Sequence, residues 1–212
     1  MEKCMSKLYL RYGTVDSSKT ARLLMDAHDY KRREENPLLI KSALDTRSSQ
    51  GMIESRTGLS APCVDIDKDD NIVHIVNKLI EGHLRPVVIL IDEAQFLTYQ
   101  QVIHLRIIAD QYDIPVMCYG LKVDFMGNLF EGSKALFEHA NVLEEVKTMC
   151  REKGCTAKAM YNGRFKDGKP VFNGEVVVIG DTKEDVDDYY YIPKCSKHFF
   201  NDFNEYNKTR GV

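Results

Sequence analysis

Val87-Val88-Ile89-Leu90-Ile91, closed by Asp92-Glu93, constrains the fold more than any other segment of this chain. Alternating polarity would mark a strand with one wet face. An unbroken apolar run marks a strand covered on both faces, the central position of a parallel sheet between layers of helix. The flanking sequence alternates in the way such a sheet requires. Residues 7–12 read as a strand that runs into a turn at Gly13, and a helical pattern follows from 19 to about 33. Asn36-Pro37 breaks that helix, and residues 38–43 read as a second strand. Helical periodicity returns from about 71 to 81, where Gly82 stops it, and again from 99 to 111 before a strand at 114–121. Strands alternating with helices predict an α/β fold with right-handed crossovers and both sheet faces covered. Residues 48–62, rich in Ser, Gly and Arg, are expected to form a long functional loop.

Beyond about residue 147 the character changes. Two β-like pieces, 159–165 and 171–179, flank a polar turn at Lys166-Asp167-Gly168-Lys169, with cysteines on either side. This predicts a small β-rich appendage and not a continuation of the sheet. Residues 201–212 are expected to be a polar, frayed tail. The organisation expected is therefore 1–147 as the α/β unit, 148–200 as the appendage and 201–212 as the tail.

Between the first strand and first helix lies Gly13-Thr14-Val15-Asp16-Ser17-Ser18-Lys19-Thr20. A loop in this position turns backbone N–H groups toward phosphates at the positive end of the next helix. Lys19 would neutralise the β- and γ-phosphates of ATP, and the Thr20 hydroxyl would ligate Mg²⁺. Ser18 stands where glycine is usual, so a Ser-rich helix cap with an exposed lysine also explains this segment taken alone. The second half of such a magnesium site is a carboxylate at the end of a buried strand, which Asp92 and Glu93 provide. Carboxylates capping the next helix would explain one of these acids, but not the pairing with a phosphate loop.

Of the six cysteines, Cys150 and Cys155 form one close pair, and Cys195 with His198 forms another. Three thiolates and one imidazole fit a closed, tetrahedral, structural Zn²⁺ site that would clamp the ends of the intervening segment. Asp65 to Asp70 begins like a calcium loop, but Asp70 stands where that loop needs glycine, so a solvated turn is expected. The formal net charge of −3, with no long Lys/Arg block, argues against wholesale nucleic-acid or anionic-membrane binding. No apolar run is long enough to span a bilayer, and a cytoplasmic protein is expected.

Several ordered motifs carry a resemblance to a known family: Gly13 to Thr20, Leu44-Asp45-Thr46-Arg47, Ile53-Glu54-Ser55-Arg56, Asp92-Glu93-Ala94-Gln95-Phe96 and Gly120-Leu121-Lys122-Val123-Asp124-Phe125. To these are added Leu129-Phe130-Glu131-Gly132-Ser133, Tyr161-Asn162-Gly163-Arg164 and the Cys/His quartet. From about Leu8 to His198 the chain resembles the type II thymidine kinases. The resemblance implies a P-loop, RecA-like sheet with a zinc-pinned lasso closing over a nucleoside. It implies ATP, Mg²⁺ and thymidine as ligands, with residues 13–20, Asp45 and Asp92 around the nucleotide. Glu93 would be the general base, Asp92 would hold Mg²⁺ through water beside Thr20, and Lys19 and Arg47 would stabilise the transferring phosphoryl group. Phe96 would pack on thymine. Val15, Leu121, Phe125, Asn162, Val176, Val178 and Tyr191 become candidate base or sugar contacts. A homotetramer and feedback inhibition by thymidine triphosphate are further implications. The chain departs from the family pattern at Ser18, at Val15 (often methionine) and in the four residues between Cys150 and Cys155. Other readings are a P-loop ATPase that remodels nucleic acid or protein, and a nucleotide-binding relative without activity, motivated by Ser18.

Overall fold

The computed structural model of the chain describes residues 6–176 and 189–210. Its main sheet has six parallel strands: β1 (Leu8–Gly13), β2 (Pro37–Ser42), β5 (Val64–Ile66), β6 (Val88–Asp92), β7 (Val116–Leu121) and β8 (Val142–Glu145), in the order β5-β2-β6-β7-β1-β8. The apolar run of β6 is central, between β2 and β7. Its Val88, Ile89, Leu90 and Ile91 are 0 % exposed. Ile89 and Ile91 join the core on one face, while Val88 and Leu90 join the core on the other. Each such side chain contributes about 1.5–3 kcal/mol by leaving water, which accounts for the apolar residues that fill this strand before Asp92.

The helices divide between the two faces. α1 (Lys19–Arg32) covers one through Leu23, Leu24 and Ala27, which meet Leu39, Leu90 and Tyr119. α2 (Ile72–Glu81), α3 (Tyr99–Gln111) and α4 (Glu131–His139) supply the other through Ile72, Val76, Val102, Leu105, Ala135 and Leu136. Their starts follow local chemistry. Asn71 caps α2 by accepting the His74 N–H, and Thr98 with Gln101 forms a reciprocal capping box on α3. By contrast, α1 starts at Ser18 with no side-chain cap. Its first N–H groups remain available to an external anion. No helix among the described residues is long and apolar enough to cross a membrane.

The long loop expected at residues 48–62 contains regular structure. β3 (Met52–Glu54) and β4 (Ser60–Pro62) pair as a hairpin, with Ile53 1 % and Ala61 9 % exposed within the α1-side core. These inward residues are too few, and too diluted by Gly, Ser and Arg, to show as a periodic pattern. The acidic turn at 67–70 is present, closed by Asp70 N–H to Asp67 O at 3.1 Å, but short β5 precedes it.

The appendage is a second, three-stranded sheet in the order β10-β9-β11, from β9 (Tyr161–Lys166), β10 (Lys169–Pro170) and β11 (Tyr189–Lys194). The expected strand at 171–179 is not found: residues 171–176 are outside any strand, and the rest lie outside the described residues. The long partner of β9 is instead β11, antiparallel from Tyr189↔Lys166 to Lys194↔Tyr161. The frayed tail is also corrected. α5 (Ser196–Arg210) runs through residue 200 without a break. Phe172 packs edge-on against Phe199 and Phe203, and Tyr161 stacks on Phe199 with centroids 4.3 Å apart. Aromatic contact with distant residues thus holds a helix whose own sequence is mostly polar.

Candidate active site

The carboxyl ends of the parallel strands, where a sheet of this kind binds ligands, bring the phosphate loop and the acidic pair together. The loop leaves β1 at Gly13 and enters α1 at Lys19. Asp16 and Ser18 both have positive φ, 58° and 61°. This gives the physical reason for a glycine at position 18: the left-handed conformation costs an L-residue about 1–2 kcal/mol. The exposed Ser18 adopts it all the same.

Lys19 lies inside the loop, 8 % exposed, donating to Thr14 O at 2.7 Å and Ser17 Oγ at 3.1 Å. Burial pushes its ammonium down, and Glu93 and Asp92 restore it only in part, leaving a pKa of about 8. The Thr20 hydroxyl donates to Asp92 Oδ1 at 3.2 Å, so two hard oxygen ligands stand side by side at the start of α1. Burial, then the neighbouring Glu93 charge, pushes the Asp92 carboxyl up. Burial acts on Glu93 in the same direction. There the Arg47 and Lys19 charges outweigh it and hold the carboxyl below the usual range.

Glu93 sits at the junction after β6 with φ 48° and is 7 % exposed. Arg47 Nη2 donates to its Oε1, and Gln95 Nε2 donates to its Oε2. Gln95 is fixed in turn, since its Oε1 accepts the Leu121 N–H at 3.0 Å. Gly120 makes room for this: a Cβ there would lie 2.9 Å from Gln95 Oε1. Arg47 is held from the other side by Asp45, whose Oδ1 accepts its Nε–H at 2.7 Å.

Two cavities meet at this acid. The larger, about 640 Å³, is lined by residues 15–21 with Asp45, Arg47, Asp92 and Glu93. The smaller, about 80 Å³, is lined by Phe96, Phe125, Phe130, Asn162, Val176 and Tyr191. Val15, Asp45, Arg47, Glu93 and Leu121 line both. Every substrate contact expected from the sequence borders the smaller cavity except Val178, which lies outside the described residues. Gly13 and Thr14, also expected around the nucleotide, border neither cavity. The β9 strand is fastened to the loop by Asn162, 2 % exposed, which accepts the Val15 N–H at 2.9 Å and donates to Val123 O at 2.8 Å. Arg164 lies over the Phe125 ring at 3.4 Å and donates to Glu175 O at 2.8 Å, tying the 171–176 segment down beside the cavity.

Gln95, Asp124, Phe130 and Arg151 also border these cavities, and sequence reasoning assigned them no role. Gln95 had a signal in its position two residues after Glu93. Arg151 had none.

Cys150, Cys155, Cys195 and His198 converge, with all four ligand atoms within 4.8 Å of one another. His198 Nδ1 lies 3.3 Å from Cys195 Sγ and 3.4 Å from Cys150 Sγ. The quartet joins the segment before β9 to the β11–α5 junction, so a metal there pins both ends of the appendage.

A P-loop α/β sheet, a large charged cavity meeting an aromatic-lined one at a buried glutamate, and a Cys₃His cluster fit a phosphotransferase of the P-loop class. Comparison with known proteins narrows this. The family model described as thymidine kinase matches residues 6–199. The thymidine kinase of Streptococcus pyogenes serotype M3 is 41 % identical over 197 residues, covering 93 % of this chain and 98 % of that protein. The thymidine kinase of Streptococcus agalactiae serotype Ia matches at the same identity and coverage. The chain belongs to the thymidine kinase family, in its type II branch.

Proposed function

We propose that this protein transfers the γ-phosphate of ATP to the 5′-hydroxyl of thymidine, giving thymidine monophosphate. The observation that carries this reading is the position of Glu93 on the shared wall of the two cavities. Phosphoryl transfer needs the attacking oxygen, the γ-phosphorus and a proton acceptor in one place, with positive charge around the phosphates. The phosphate loop and the N-terminus of α1 receive the polyphosphate, and Lys19 and Arg47 neutralise it. Thymidine lies in the smaller cavity, its base against Phe96 and beside Phe125, Val176 and Tyr191, and its 5′-hydroxyl toward Glu93.

Both oxygens of Glu93 accept hydrogen bonds, one of them from Arg47. A transferring phosphate draws the guanidinium toward itself. Glu93 then regains basicity as Arg47 leaves Oε1, and takes the 5′-hydroxyl proton through that oxygen. Gln95 keeps hold of Oε2 and preserves the carboxylate orientation.

The donor sets fit the metals of this reading. Thr20 Oγ1 and Asp92 Oδ1 form a hard-oxygen pair suited to Mg²⁺, which when bound supplies charge neutralisation on the phosphates. Three thiols and an imidazole suit a closed Zn²⁺ site, with no position open for chemistry. Thymidine triphosphate, its nucleoside placed in the smaller cavity and its triphosphate in the larger, is the feedback inhibitor of this reading. A cytoplasmic homotetramer completes it, by family resemblance.

ADP release measured with each deoxynucleoside in turn tests the proposal. Thymidine is expected to raise turnover well above the no-nucleoside rate, and the purines are not. ATP hydrolysis indifferent to every nucleoside would favour the ATPase reading and overturn this one.

A further inference from the structure

Asp16 is an acid within a loop that receives phosphates. Its side chain is 8 % exposed, and both of its oxygens face guanidinium groups from distant parts of the chain. Arg56, in the turn after β3, donates to Oδ1, and Arg151 Nη2 lies 3.1 Å from Oδ2. Oδ2 is buried without a hydrogen bond of its own, so the Arg151 charge is what compensates it. The two guanidinium groups remain 49 % and 62 % exposed, and both line the larger cavity.

The charges lining that cavity are Lys19, Arg47, Arg56 and Arg151 against Asp16, Asp45, Glu54, Asp92 and Glu93. Arg47 is engaged by Asp45 and Glu93. Without Arg56 and Arg151, a polyphosphate would enter a cavity dominated by carboxylates. A guanidinium carries five N–H donors in a planar fork, so Arg151, facing Asp16 through Nη2, has further donors on the same side chain. Holding such a long side chain in place lowers the entropy lost when it binds a ligand.

We propose that Arg56 and Arg151 bind the polyphosphate of the donor nucleotide, with Asp16 as the positioning residue that holds both at the cavity mouth. The inference rests on the phosphotransferase reading above and deepens it. Arg151 directly follows the ligand Cys150, so the clamp joins the Cys₃His module to the phosphate loop and makes nucleotide affinity depend on that module.

Titration calorimetry of Mg-ATP, with no acceptor present, tests the clamp independently of transfer to thymidine. Arg151→Gln is expected to weaken Mg-ATP binding about tenfold, as for loss of a charge-assisted hydrogen bond, with Arg151→Lys recovering part of it. The KM for thymidine is expected to stay within twofold. Asp16→Asn should weaken Mg-ATP binding severalfold in the otherwise native protein and by a clearly smaller factor when Arg151 is already glutamine, since only Arg56 is then left to position. That non-additivity is what a purely structural role would not produce. Metal content confirms that each variant keeps its Cys₃His site, and Arg56→Gln serves the same purpose if Arg151→Gln fails to fold. Unchanged or tighter Mg-ATP binding in the arginine variants, or tighter binding in Asp16→Asn, would overturn the proposal. Normal Mg-ATP binding by the native protein without thymidine phosphorylation would leave the clamp standing and remove the kinase reading instead.

Discussion

Replacing Glu93 by glutamine removes the proton acceptor while keeping its shape. The carboxylate accepts from Arg47 on one oxygen and from Gln95 on the other. An amide keeps one acceptor and presents an NH₂ group to the other donor. Gln95 cannot readily turn over to accommodate it, because its own oxygen holds the Leu121 N–H at 3.0 Å. Arg47 retains Asp45 at 2.7 Å, so its charge is not stranded. The stability cost is therefore that of one poorly paired buried donor, about 1–3 kcal/mol, and the variant should fold. The catalytic cost is larger. A positioned general base contributes about 10²–10⁴-fold, equivalent to roughly 3–5 kcal/mol of barrier. Single-turnover transfer from Mg-ATP should slow by that factor while Mg-ATP affinity changes little. A loss of less than tenfold in folded Glu93→Gln protein would refute the general-base assignment.

Further outcomes follow from the same geometry. Ser18→Gly relieves a left-handed serine, about 1–2 kcal/mol, against a glycine entropy cost of about 0.5–1 kcal/mol. Tm should rise by about 2 °C in a thermal melt, and a clear fall would show that Ser18 is not strained. Gly132→Ala places a Cβ 2.6 Å from the carbonyl oxygens of both Ala94 and Leu97, in the turn that carries Glu93 and Phe96. It should cost about 1–3 kcal/mol by denaturant unfolding and lower kcat, whereas native stability would contradict this packing. Chelation should make Cys150, Cys155 and Cys195 reactive to iodoacetamide at pH 8, read by peptide mass spectrometry. Cys63, pushed up to about 12 by burial and Asp65, and Cys118, pushed up by burial, should remain poorly labelled. Equal labelling with and without chelator would argue against a bound metal.

The features legible in the sequence were those written in one contiguous stretch. The β6 run, the Gly13-to-Thr20 loop and the Tyr99–Gln111 helix each carry their pattern locally, and the structure places them as expected. What could not be read was built from contacts across the chain. The β3–β4 hairpin depends on Ile53 and Ala61 meeting the α1-side core, which three-residue strands cannot announce. The α5 helix is polar along its sequence, and its Phe199 and Phe203 find their partner at Phe172. No helix was expected at 131–139, where Gly132 dilutes the pattern but lets α4 approach the 94–97 backbone. The site shows the same division. Lys19, Asp92 and Glu93 belong to motifs, while Arg151 reaches Asp16 only through the folded Cys₃His module.

Transfer of labelled γ-phosphate from Mg-ATP to thymidine tests the central claim most directly, with folded, metal-loaded protein and products separated by chromatography. The account predicts labelled thymidine monophosphate as the main product, formed with Ser18 in place. Label released only as inorganic phosphate, or left in ATP, would contradict it.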